Sequence, residues 1–142
     1  MEVNVLHLGD VQFEIKARNH TIVSDQPVDA GGFDEGMTPP ELMLASLGSC
    51  AAYYAVDFLK RQKLLKEGTR VTVSAEKMKG VTPGVPYRGA RIDNFVIEVR
   101  APIDLTAEQS HGLEEAVHRC LVHNTLMTPP KISLSIKSPV LA

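Results

Sequence analysis

A chain of 142 residues with 15 basic and 17 acidic side chains, net charge −2, is long enough for one domain with a real core and short for a two-domain enzyme. That balance leaves no basic footprint for nucleic acid or an anionic membrane surface, and neither is an expected partner. The opening MEVNVLHLGDV has no basic run ahead of an apolar one, so it does not read as a secretory signal, and the expectation is a single cytoplasmic domain over 1–142.

Residues 3–8 and 11–17 are expected as strands around a Gly9-Asp10 turn. Val11, Phe13, Ile15 and Ala17 alternate with Gln12, Glu14 and Lys16, so one face should be buried. Asn19 and His20 make another turn before an extended run from Thr21 to Ser24. The stretch DQPVDAGGFDEGM, 25–37, sets Pro27, Gly31, Gly32 and Gly36 among four acids, which is the composition of an irregular loop. It lacks the Gly-Lys-Ser/Thr ending of a phosphate loop, which removes nucleotide binding.

TPPELMLASLGSCAAYYAVDFL, 38–59, is the most apolar long stretch. Thr38 suits an N-cap, Pro39 the first helical position, and Glu41 completes a Thr-x-x-Glu capping box. The helix is expected to run to about Lys66, with Gly68 as its stop. Between Glu41 and Asp57 lie 15 uncharged residues, fewer than the roughly 20 a membrane span needs. At about 100° per residue, Leu42, Met43, Leu44, Leu47, Ala51, Tyr53, Tyr54, Val56 and Phe58 spread around the whole cylinder. A helix apolar on every side must be covered on every side. The remaining segments can build a sheet over one face, which leaves the other for a second copy, so an obligate homodimer is expected. Gly48 costs about 1 kcal/mol relative to alanine inside a helix, so the small residues around it imply a closely packed neighbour.

Strands are expected at 70–78 and 91–100, joined by the loop KGVTPGVPYRGA. Thr106 opens a second helix with a Thr-x-x-Gln109 capping box, striped by Leu113, Ala116 and Val117 and ending near Cys120. Pro129 and Pro130 break the chain before a last strand with Ile132, Leu134 and Ile136 on one face.

Cys50 and Cys120 are the only cysteines, with 69 residues between them. In a reducing cytosol such a pair is catalytic, metal-bound or simply buried. His118 and His123 flank Cys120 as His-x-Cys-x-x-His, ligands that suit zinc or copper, although the spacing matches none of the usual structural-zinc patterns. The residue types alone leave these alternatives open.

The run RNHTIVSDQPVDAGGFDEGMTPPELMLASLGSC resembles the OsmC/Ohr family, named for osmotically inducible protein C and organic hydroperoxide resistance protein. It carries, in order, Arg-x-His before Asp-x-Pro, a Gly-Gly loop, and Thr-Pro-x-Glu-Leu leading into Gly-x-Cys. CLVHNTL, from Cys120 to Leu126, resembles the family's second signature, a cysteine followed by Val-x-Asn-Thr-Leu. The likeness is closest to the broad OsmC-like branch. It implies an α/β (α+β) fold in which two subunits intertwine, long central helices packed together and antiparallel-rich sheets wrapped around them. It also implies thiol-based reduction of organic hydroperoxides, with Cys50 attacking, Cys120 closing a disulfide, and an external dithiol reductant in place of any bound cofactor.

Peroxide attack needs a thiolate, and an ordinary cysteine titrates at about 8.5. Arg18, Arg88 and the histidines are the available cations. The resemblance points to Arg18 as the group serving the attacking thiol, and a guanidinium has the fork geometry to hold thiolate and peroxide oxygen together. It also assigns Glu41 to orient that arginine. Two departures stand out. Glu41 stands nine residues before Cys50 where the family's hydroperoxidases have ten, and the tenth position here is Pro40. Nine residues turn a helix by about 900°, so Glu41 faces away from Cys50 and sits roughly 13 Å along the axis. Leu121 stands where many relatives have proline. A non-enzymatic dimer holding a small apolar ligand over buried cysteines is the competing reading.

Overall fold

The computed structural model of the chain describes residues 1–80, 89–128 and 130–138. Its elements in order are β1 (Asn4–Gly9), β2 (Gln12–Ala17), β3 (His20–Ser24), α1 (Pro39–Arg61), β4 (Arg70–Met78), β5 (Arg91–Arg100), α2 (Ala107–Val117) and α3 (Leu121–Met127). This mixture of helices and antiparallel sheets is the expected fold class.

The three N-terminal strands form an antiparallel meander, with Val5 opposite Ile15 and Ile15 opposite Ile22. Asp10 at φ 45° and Arg18 at φ 55° take the left-handed turn positions that close its two hairpins. Packing among the described elements then divides in two: β1, β2 and β3 contact one another, while α1 is the hub for α2, α3, β4 and β5. The meander is an arm, and its inner strand ends in a buried polar root. Asp25 accepts the N–H of Gln26 at 2.7 Å on one oxygen, and those of Phe33 at 3.0 Å and Glu35 at 3.1 Å on the other. Gln12 reaches the same carboxylate at 3.3 Å and Glu35 at 2.7 Å. A side chain at position 32 would collide with the Gln26 carbonyl, so Gly32 is what lets the loop fold around Asp25. Burial pushes the Asp25 carboxyl up, but these hydrogen bonds outweigh it and hold the group below its ordinary value. The loop also includes a turn of 3-10 helix at Val28–Ala30.

Both Thr38 capping-box bonds form at the start of α1. The helix stops at Arg61, a turn short of the expected end, because Lys63 at φ 58° turns the chain back. Leu47, Ala51, Ala55 and Leu59 are its buried ridge, spaced four apart. Val71, Val73 and Ala75 of β4 are half-buried, and a Cβ on Gly48 would stand 3.1 Å from the Val73 methyl. The close neighbour that Gly48 admits is therefore a strand. On the other side α2 brings Leu113 into the Ala55–Leu59 cluster, and Gly112 presses on the Phe58 ring. Counted with its flanking charged residues rather than over its 15 uncharged ones, α1 is long and apolar enough to cross a membrane by length and composition alone, and 22% of its most apolar 18-residue window, of mean hydropathy 1.4, is buried. Tyr53, 69% exposed, and Val56 mark its uncovered side.

Two features differ from the sequence expectation. A separate helix, α3, follows Cys120. The last strand is absent: residues 131–138 pair with no described strand, and Ile132, Leu134 and Ile136 are 90%, 86% and 86% exposed. An alternating segment needs a sheet edge to become a strand, and among the described residues none accepts it.

Candidate functional site

The middle of α1 carries Cys50, one turn beyond the buried Leu47. The α2–α3 junction lies over it, because α3 packs on α1. At that junction Cys120 is fully buried, its N–H donating to the Val117 carbonyl at 3.0 Å. Both cysteines are free thiols, and they lie near enough for each to shift the other's titration. Residues far apart in the chain are thus one chemical unit.

Their environments push them in opposite directions. Burial raises the Cys50 thiol, but the Cys120 thiol and the N–H groups of Val122 and Leu121 together outweigh it and hold Cys50 below its ordinary value. Cys120 is raised, first by burial and then by its contact with Cys50; the N–H of His123, 3.4 Å from its sulfur, offsets only part of this. The two directions favour charge on Cys50 over charge on Cys120.

The groups favouring charge on Cys50 are backbone amides and a thiol. The basic residue expected there, Arg18, lies on the β2–β3 turn of the arm, exposed, and makes no salt bridge among the described residues. Arg88 lies outside the described residues. Glu41 is at the opening turn of α1, where one oxygen, Oε2, accepts both the N–H and the hydroxyl of Thr38 at 2.8 Å. Those bonds hold its carboxyl below the usual value. His118 and His123 stack edge to face, ring centroids 5.1 Å apart. Among the described residues no three His, Cys, Asp or Glu side chains converge on a metal position, so the His118–Cys120–His123 spacing does not become a ligand set.

A cavity of about 880 Å³ opens between α1, β5, α2 and α3, with neither cysteine in its lining. Met43, Leu47, Ile97, Val99, Leu113 and Val117 give it an apolar wall, and His118 and His123 stand at its margin. His123 Nδ1 is buried with no partner among the described residues.

The influence of Leu121 and Val122 on Cys50 is through backbone N–H, which no side-chain pattern marks. The signal that exposes such groups is a helix start, and here the N-cap is Cys120, outside the Ser, Thr, Asp and Asn set that marks one.

The family model for OsmC-like protein matches residues 32–135, most of the chain and both cysteines. The chain belongs to the OsmC family. No curated protein sequence matches it. Among solved structures it is similar to an OsmC-like protein of Mycoplasma pneumoniae, with TM-score 0.67 and 19% identity over 90% of this chain and 87% of that one. It is similar also to an organic hydroperoxide resistance protein OsmC of Legionella pneumophila, with TM-score 0.63 and 16% identity over 90% of both chains. An organic hydroperoxide resistance protein of Elizabethkingia anophelis aligns with TM-score 0.59 and 18% identity, over 91% of this chain and 90% of that one. At these identities the likeness is one of fold.

Proposed function

We propose that this OsmC-family chain is a cytoplasmic, homodimeric thiol peroxidase that reduces organic hydroperoxides at the expense of an external dithiol. What supports this reading is the nearness of Cys50 to Cys120 within the family-matched region, with charge favoured on the first over the second. The Cys50 thiolate attacks the terminal peroxide oxygen, the O–O bond breaks, and the alkoxide takes a proton and leaves as an alcohol. Cys50 is then a sulfenic acid. The Cys120 sulfur attacks the Cys50 sulfur, its proton departs with the hydroxide as water, and a disulfide forms. A dithiol restores both thiols by exchange.

The dimer follows from uncovered apolar surface. The exposed side of α1 and the exposed Val5, Leu6 and Ile22 of the arm are complementary demands for cover that one chain does not meet. Arg18 rides on the arm, and we assign it to Cys50 of the second copy. Glu41 faces away from Cys50 of its own helix, so its proposed part is to orient the Arg18 guanidinium of its own chain towards the second copy, through an Oε1 free of any hydrogen bond among the described residues. Purified protein with dithiothreitol should consume cumene hydroperoxide, and Cys50→Ser should reduce the rate by at least about a thousandfold, the cost of removing a covalent nucleophile. Equal consumption by Cys50→Ser overturns the assignment.

The apolar cavity favours one competing reading, a carrier of small apolar ligands. Thiol titration separates the two: a peroxidase loses both free thiols after brief peroxide treatment, and a carrier keeps them.

A further inference from the structure

The cavity between α1, β5, α2 and α3 is lined by neither thiol, and its two sides differ in chemistry. Leu47, Val99, Leu113 and Leu126 supply an apolar group from each of the four elements. The polar groups are Asp93, Asn94, Ser110, Glu114, His118 and His123, and among the described residues no lysine or arginine lines the space. Its volume, about 880 Å³, falls within the range of about 300–1,000 Å³ that small-molecule sites occupy. The apolar side accommodates a ligand's body, and the polar side decides its head group.

An anionic head would meet two carboxylates, Asp93 and Glu114, with no lysine or arginine beside them to offset the repulsion. An ammonium head gains little from Asp93, whose oxygens already accept Arg91 at 2.7 Å and the Asn94 N–H at 2.9 Å. Glu114 has His118 at 3.8 Å. A neutral hydroxyl suits what is left. An imidazole nitrogen donates or accepts according to tautomer, and a hydroxyl answers either. His123 Nδ1 is shielded from solvent with no partner among the described residues. A half-turn of the ring carries that nitrogen to the opposite edge and breaks no hydrogen bond of its own. Leaving it unpaired is unfavourable, so a ligand hydroxyl that draws it out relieves a cost.

We propose that this cavity is a non-covalent binding site for a neutral aliphatic alcohol, its chain against Leu47, Val99, Leu113 and Leu126 and its hydroxyl hydrogen-bonded to the His123 ring. The site stands whether or not the thiols reduce peroxide. Under the peroxidase reading, an alcohol is also the class of product the thiols release.

The test is calorimetric titration of the full chain with decanol, decanoate and decylamine at neutral pH, below their aggregation limits. Decanol should bind at one site per chain, and the two charged analogues at least about tenfold more weakly, because a charge taken from water needs a partner the lining lacks. Octanol should bind about fifteenfold more weakly than decanol, the loss of two buried methylenes. His123→Phe should weaken decanol by at least about fivefold, the cost of a hydrogen bond left unmade. His123→Asn, whose amide reaches the place of Nδ1, should keep most of the affinity, and the His123 ring nitrogens should shift in NMR when decanol is added to the parent. Failure of decanol to bind means that the chain's own tail or a second copy fills the cavity, and overturns the site. Equal binding of the three head groups, equal losses in the two His123 variants, or decanol that binds only while dissociating the dimer in sedimentation overturns it as well. Should His123→Phe unfold the chain, the head-group series and the NMR shift on the parent decide. Inertness towards cumene hydroperoxide would strike the peroxidase reading and leave these outcomes standing.

Discussion

The body and the arm of this molecule use similar residues to different ends. In the body Leu47, Ala51, Ala55, Leu59, Leu113 and Ala116 are buried between α1, α2 and the β4–β5 pair. In the arm the strands alternate as regularly, yet Val5, Leu6 and Ile22 are exposed, and the buried groups at its root, Ser24 and Asp25, are polar. Periodicity states that a face will be covered. It does not state by which chain. One region is stabilised by its own packing, the other by hydrogen bonds at its base and, in the proposed dimer, by its neighbour.

The sharpest way to break this contrast is to cut the same kind of side chain from each region. Leu59→Ala should cost about 2–5 kcal/mol in urea unfolding, because a fully buried leucine leaves a cavity. Gly112→Ala should cost about 1–3 kcal/mol, since the new methyl would lie 2.8 Å from the Phe58 ring and the body has to give. Leu6→Ser on the arm should move urea unfolding of the dissociated chain by no more than about 0.5 kcal/mol. It should weaken the dimer by about fivefold or more in sedimentation, as loss of roughly 1 kcal/mol of apolar cover requires. An unchanged dimer in Leu6→Ser would show that the arm is not the interface.

The smallest effect tests the root between the two regions. The folded Asp25 carboxyl lies below its ordinary value, so its contribution is complete above about pH 4 and is lost as pH falls through the folded value. The melting-temperature gap between the parent and Asp25→Asn should therefore close on acidification. A gap that stays constant down to acid pH would assign Asp25 no charge-dependent role.

Much of this was legible in the residues. The Thr38 and Thr106 capping boxes form as the spacing requires, and β4 and β5 occupy the expected ranges. Local chemistry sufficed there, because a cap or an alternation is completed within a few residues. The approach of Cys120 to Cys50 was not legible from spacing, since it depends on α3 lying across α1, and it entered through the family resemblance alone. α3 was hidden behind its sulfur cap. The last strand was misplaced for the opposite reason: Ile132, Leu134 and Ile136 have the right period but no ladder among the described residues.

An arm that finds little apolar cover on its own polypeptide also divides the return from denaturant by molecularity. In the proposed dimer the body can collapse at a rate set by one chain, whereas the ordering of β1–β3 against a neighbour would wait on encounter and quicken with protein concentration.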